Sequence, residues 1–281
     1  MWADGLKDCG VDSMPETEAT LKRASVVVPL ASVRICGAVA CRDCGVYRLC
    51  AALGLEGNEL SLLDRVVERK LIFKRGGLLF RAREPADYVY AIRSGSVKTC
   101  VRTEGGRVQI TGLHLPGELL GLAGFDSREY TCEARALETT SVCQVSMHRL
   151  EEVAERLPAI HREMLRIMSG QLRHYEQLLL LLGKHNAERR LAAFLLGLSQ
   201  RFALHNYSPT RFNLSMSRGD IGNYLGIAEE TVCRVFTRLQ EEGLLTTRRR
   251  YVELHDLERL RAIAHDPGRR AAATVALTSG T

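Results

Sequence analysis

The sequence predicts an α+β protein in three parts: an antiparallel β-roll, a long dimerisation helix and a C-terminal winged helix-turn-helix. Three observations predict it. Between Lys70 and about Met147, short β-rich runs alternate with glycine turns, the texture of a roll or barrel. From Pro158 to His185, apolar residues recur at heptad spacing. From Ser217 to Leu254, two amphipathic helical stretches meet at a glycine and lead into strand, basic turn, strand.

The length of 281 residues suits two domains, and a hydrophobic fraction of 46% supports a sizeable core. The expected divisions are an extension over 1–35, a cysteine segment over 36–50 and a β-roll over 51–157. They continue with a helix over 158–185, a winged helix-turn-helix over 186–265 and a disordered tail over 266–281. A helical stretch is expected near Leu60 to Glu68. In the roll, Gly76–Phe80, Tyr88–Ile92, Ser96–Val101, Val108–Thr111 and Thr140–Val145 read as strands. Ser94-Gly95, Glu104-Gly105-Gly106 and Pro116-Gly117 mark the turns.

Pro158 suits the first turn of the long helix. Its residues Leu165, Met168, Leu172, Tyr175, Leu179 and Leu182 are spaced three, four, three, four, three, an a/d seam for a second copy. The alternative is a helix packed on its own domain. The run Leu178 to Leu182 covers more than one face, so the helix is expected to do both, pairing with a second copy and packing on its own domain.

In the last module, Ile221 and Leu225 form the buried stripe of a first helix, and Gly226 permits a tight turn. A second helix starting near Ala228 buries Val232, Val235 or Phe236, and Leu239. Glu229, Glu230, Cys233 and Arg234 are left outward near its start, the part of this motif that faces base edges in the major groove. Arg234 can fork onto guanine O6 and N7, and Glu230 can accept from cytosine N4. The two are also four apart and could simply pair with each other. Arg248-Arg249-Arg250 form the tip of the wing, placed to touch phosphates. The whole chain has a net charge of +6, and with Arg259, Arg261, Arg269 and Arg270 these arginines crowd its C-terminal end. One module covers a short half-site, so a homodimer on palindromic double-stranded DNA is expected.

Cys41, Cys44 and Cys50 offer three thiolates, and a four-ligand site needs a fourth from elsewhere. Zinc sites of this kind usually add a second Cys pair or two His, and neither lies nearby. Arg42 and Arg48 between the cysteines favour thiolates. No run of 18 apolar residues spans a membrane, and the start lacks a secretion-signal layout. A cytoplasmic location is expected, where nine cysteines are poor disulfide material.

This order of parts resembles the FNR (fumarate and nitrate reduction) branch of the CRP/FNR superfamily of bacterial transcription regulators. The resemblance covers about residues 36–262. It is carried by Cys41 to Cys50, Ala136-Leu137-Glu138-Thr139-Thr140-Ser141-Val142-Cys143, Asn186 to Leu195, and Arg218 to Arg234. It implies that the roll is of the cyclic-nucleotide-binding-like kind. It implies an oxygen-labile 4Fe-4S cluster held by Cys41, Cys44, Cys50 and, from the roll, Cys143. Cys36 and Cys132 compete with Cys143. It further implies a dimer that binds DNA when the cluster is intact, controls genes of low-oxygen metabolism as activator or repressor, and works with RNA polymerase. The implied operators are palindromes built from TTGAT and ATCAA, read by a Glu, a Ser and an Arg. Glu230 and Arg234 match; Cys233 stands at the Ser. The seam carries no Asp or Glu, so cluster-free protein is expected to stay dimeric more than in the family.

Two other inputs compete. Pro116 to Leu122 resembles the start of a cyclic-nucleotide phosphate cassette, but Tyr130-Thr131 stands where an Arg with Ser or Thr would pair with the phosphate. A zinc-stabilised constitutive repressor is the other. No nucleophile elbow, P-loop or HExxH motif is present, and His114, His148 and His161 are scattered, so no enzyme is expected.

Overall fold

The computed structural model describes residues Val33–Ile35, 67–205 and 207–265. Cys41, Cys44, Cys50, Cys36 and the tail from 266 lie outside the described residues. So does most of the helix expected near Leu60 to Glu68. Its last two residues correct that expectation, because Val67 and Glu68 open a strand. Val67 is β-branched and pairs across to Val145, and ladder pairing outweighs the local helical pattern.

The roll comprises β1 (Val33–Ile35), β2 (Val67–Phe73), β3 (Leu78–Phe80), β4 (Tyr88–Ser94) and β5 (Val97–Arg102). It continues with β6 (Val108–His114), β7 (Leu119–Leu120), a short helix α1 (Gly124–Ser127), β8 (Glu133–Ala136) and β9 (Thr140–Ser146). They form two antiparallel sheets, in the orders β1-β2-β9-β4-β7 and β3-β8-β5-β6. Ile92, Val97, Ala134 and Val142 are fully buried in the roll's core. Each large aliphatic side chain buried in this way stabilises the fold by about 2 kcal/mol.

Helix α2 (Met147–Arg156) begins where the Ser146 hydroxyl accepts from the Arg149 N–H. Helix α3 (Pro158–Lys184) has 27 residues with proline in its first turn, and so runs about 40 Å. Its apolar rows divide. Leu165, Leu172 and Leu179 are 52%, 61% and 70% exposed. Met168 packs on the roll core, Leu182 is half-buried, and Tyr175, itself 41% exposed, lines with Leu179 the cavity between α3 and the roll. Among the described residues, no helix is long and apolar enough to cross a membrane.

His185 and Asn186 are extended, and Asn186 caps α4 (Ala187–Leu204) by accepting from the Arg189 N–H at 2.9 Å. Beyond it lie β10 (Arg211–Asn213), α5 (Arg218–Leu225), α6 (Glu229–Glu241), β11 (Leu245–Arg248), β12 (Tyr251–Leu254) and α7 (Leu257–His265). The strands form one sheet in the order β10-β12-β11. Leu191, Leu195, Ile221, Leu225, Val232, Leu239, Leu244 and Leu260 are fully buried at its centre. The same apolar cluster continues into Ile110, Leu113 and Leu115 of the roll. The winged module is therefore docked on the roll.

Candidate nucleic-acid interface

Helix α5 starts with a reciprocal cap. The Ser217 hydroxyl accepts from the Asp220 N–H at 3.0 Å, and the Asp220 carboxylate accepts from the Ser217 N–H at 3.2 Å. It ends at Gly226, whose φ of 62° is left-handed and suits glycine. Gly222 allows the close turn into α6: a Cβ there would lie 2.6 Å from the Ile227 carbonyl oxygen. The Arg218 guanidinium sits 3.3 Å from the centre of the Phe236 ring, fastening the start of α5 to α6.

On α6, Val232, Phe236 and Leu239 are buried, while Glu229, Glu230, Cys233 and Arg234 are exposed. Among the described residues no ion pair joins Glu230 to Arg234; the Arg234 guanidinium donates to Thr231 Oγ1 at 3.3 Å. The outward face is thus presented and not consumed by a helix salt bridge. Arg238, further along, is tied to Glu242 at 3.0 Å and to Glu188 at 3.2 Å. Two hydrogen bonds join the wing to α6: the Thr247 N–H and hydroxyl both donate to Gln240 Oε1 at 2.6 Å. Arg249 at the wing tip is exposed, with a left-handed φ of 57°.

Sequence reasoning missed the residues that hold this module in place. Arg190 donates to the carbonyls of Leu182 at 2.6 Å, His185 at 2.9 Å, and Leu225 and Gly226 at 2.9 and 3.3 Å. It joins the end of α3, the start of α4 and the turn after α5. Arg201 on α4 binds Glu118 of the roll at 2.7 and 2.9 Å and the Leu113 carbonyl at 2.5 Å. Burial would raise the Glu118 carboxyl, but Arg201 overcomes this and holds it below the usual range. Burial lowers the neighbouring His114 to about 4, against a smaller upward pull from Glu118. His174 of α3 meets the Tyr224 hydroxyl at 3.2 Å. The Asn186–Leu195 stretch contains Arg190, but its partners lie up to 36 residues away, and no local signal names them.

The cysteines divide by sheet. Cys143 lies on β9, opposite Lys70 of β2 and Ala91 of β4. Alternation places it on the face opposite that of Val142 in the core, yet it is only 7% exposed. The strand pairings run Ile35 to Leu71 to Val142, so β1 ends level with the neighbour of Cys143, about 10 Å across the sheet. Cys132 precedes β8 in the other sheet and lines the cavity beside α3. Burial pushes its thiol up to about 11. Cys100 is a buried core residue and Cys233 is exposed on α6.

Residues 189–263 match the Crp-like helix-turn-helix domain, and residues 70–156 match the cyclic nucleotide-binding domain. The chain is 46% identical over 224 residues to the transcriptional activator protein Anr of Pseudomonas aeruginosa, covering 80% of this chain and 92% of that protein. It is 41% identical over 227 residues to the fumarate and nitrate reduction regulatory protein of Escherichia coli, covering 81% and 91%. Among solved structures, FixK2 of Bradyrhizobium japonicum superposes with a TM-score of 0.63 at 34% identity, covering 69% of this chain and 96% of that one.

Proposed function

The chain belongs to the FNR family of Crp-like transcription regulators, and on that premise we propose an oxygen-responsive homodimer that reads palindromic operators and controls genes of low-oxygen metabolism. The observation that carries it is the position of Cys143, buried on the face of its sheet away from the roll core, two strands from β1, after which the other cysteines follow in the chain. Cys41 follows Ile35 by six residues, a reach of up to about 20 Å, so the N-terminal thiolates can meet Cys143 across β2.

The donor chemistry suits a 4Fe-4S cluster, for which Cys41, Cys44, Cys50 and Cys143 would supply four sulfur ligands. Such a group, when bound, supplies a reaction with oxygen that these thiolates alone do not. The chain's own residues do the rest. Through such a group Cys143 would tie the N-terminal cysteines to β9. Leu165, Leu172 and Leu179 offer the second copy an apolar row on α3. Glu230, Cys233 and Arg234 face base edges, and Arg248 and Arg249 face phosphates. RNA polymerase is the partner assigned from the relatives' activator role. Our reading is of a DNA-binding regulator and not an enzyme.

The cavity of about 790 Å³ between the roll and α3 tests the cyclic-nucleotide alternative. Tyr130, at the position of the phosphate-binding Arg, stacks on Phe80 with ring centres 3.9 Å apart, and its hydroxyl donates to the Tyr88 carbonyl at 2.7 Å. The nearby Arg128 guanidinium is engaged by Glu151 at 2.8 Å. A phosphate would find its usual guanidinium replaced by a phenol ring.

The deciding experiment is iron and sulfide analysis of full-length protein isolated without air, with operator binding measured before and after oxygen. About four iron and four sulfide per chain are expected, with binding weakened by air. Protein that holds no iron, or that binds its operator equally in both states, overturns the sensor assignment.

A further inference from the structure

On the footing of the DNA-binding dimer, we propose that Asn223 and Lys98 determine operator spacing, by clamping each winged module to its own β-roll and so fixing the half-site separation the dimer accepts. Strand β6 is an edge of its sheet, and edge strands carry unpaired backbone groups. The Asn223 side chain supplies partners for them. The Ile110 N–H donates to Asn223 Oδ1 at 2.6 Å, and Asn223 Nδ2 donates to the Val108 carbonyl at 2.8 Å. Groups two residues apart on a strand point to the same edge, so the amide takes the place of one residue of a neighbouring strand. Gln109 Nε2 adds a bond to the Asn223 carbonyl at 2.7 Å.

One turn away, Lys98 Nζ meets Asp220 Oδ1 at 2.6 Å, with both side chains largely buried. Asp220, Asn223 and Tyr224 are three and four apart, so a single face of α5 meets the roll and α3. The opposite stripe, Ile221 and Leu225, is buried in the winged module's own core. Helix α6 is fastened to α5 through the Gly222 approach and the Arg218–Phe236 stack. Holding α5 therefore holds the recognition helix. The covalent link from α3 is only the extended pair His185 and Asn186. A hinge of two residues leaves rotation to non-covalent ties; Arg190 and Arg201 supply two, and the clamp adds one that seats α5 on the edge strand. None of the clamp residues lies on α6, so base preference is independent of them.

A dimer accepts half-sites about one helical turn apart, and one inserted base pair moves a half-site by about 3.4 Å and turns it by about 35°. The test uses the full-length protein without air, as wild type, Asn223→Ala, Lys98→Met and the double variant. Each is titrated with palindromes of native spacing, with one base pair inserted or removed, and with single-base substitutions in a half-site. In the double variant the preference for native spacing should fall by about tenfold, the scale of two or three lost hydrogen bonds, while the ranking of substituted half-sites stays as in wild type. Asn223→Asp keeps only the acceptor and should fall between. An unchanged spacing preference overturns the proposal. So does an equal gain or loss at every spacing, which would make the contact a general brake or brace. Wild type that binds no palindrome of any spacing removes the dimer itself, and the clamp with it.

Discussion

Arg234 and Cys143 are the two residues to which we assign recognition and sensing. Arg234 is exposed on α6 and free of the helix salt bridge its spacing allowed. Replacing it with Ala should cost about 1–3 kcal/mol of operator binding and relax preference at one base pair, read by competition with substituted operators. Equal discrimination in both proteins would move the reading to another residue. Cys143→Ala should lose its iron and Cys132→Ala should keep it, measured as iron per chain after anaerobic isolation. The reverse result would place the fourth ligand in the other sheet. The outward positions of α6 were legible because helical spacing fixes which residues share a face. The choice of Cys143 came from resemblance; the strand register places it on β9, opposite Lys70 and Ala91.

Among the elements, the joint between α3, α4 and α5 is where one side chain does most. Arg190 satisfies four carbonyls from three segments. Arg190→Ala leaves the helix-end carbonyls of Leu182 and Leu225 without that donor. A loss of about 2–3 kcal/mol in unfolding free energy is expected, read from urea denaturation. A change below about 0.5 kcal/mol would mean that water replaces the guanidinium without penalty. Five strands of the roll, the long helix and the wing could be read from period and turn chemistry, whereas β7, β8 and β10 could not. The strand at Val67 could not, because its pairing with Val145 lies 78 positions away.

For the whole molecule, stability should depend on pH through the joint between roll and winged module. His114 is lowered from 6.5 to about 4 in the fold, so the unfolded chain binds more protons between those values. Stability therefore falls as pH drops from about 6.5 towards 4, by up to about 3 kcal/mol. Glu118, held low by Arg201, adds a loss below the ordinary carboxylate range. Thermal unfolding of wild type and His114→Asn across pH 4 to 7 checks this: the variant should show the flatter profile. The exposed row on α3 is the proposed dimer seam. Leu172→Glu should give a monomer in sedimentation and lose operator binding, whereas cluster-free wild type should remain dimeric at micromolar concentration, since its seam buries no charge. Clean monomer in cluster-free wild type would show that the seam alone is too weak.

Local spacing in the chain was enough to specify a roll, a long helix, a winged helix-turn-helix and the outward residues of its second helix, because strand and helix periods are properties of neighbouring residues. It also placed three cysteines, Cys41, Cys44 and Cys50, close together in the chain. Only the tertiary structure decided how the winged module is held, which heptad row of α3 stays exposed and which sheet carries Cys143. Those outcomes depend on groups far apart in the chain, such as Val108 and Asn223, whose meeting is set by strand register and docking and leaves no local pattern.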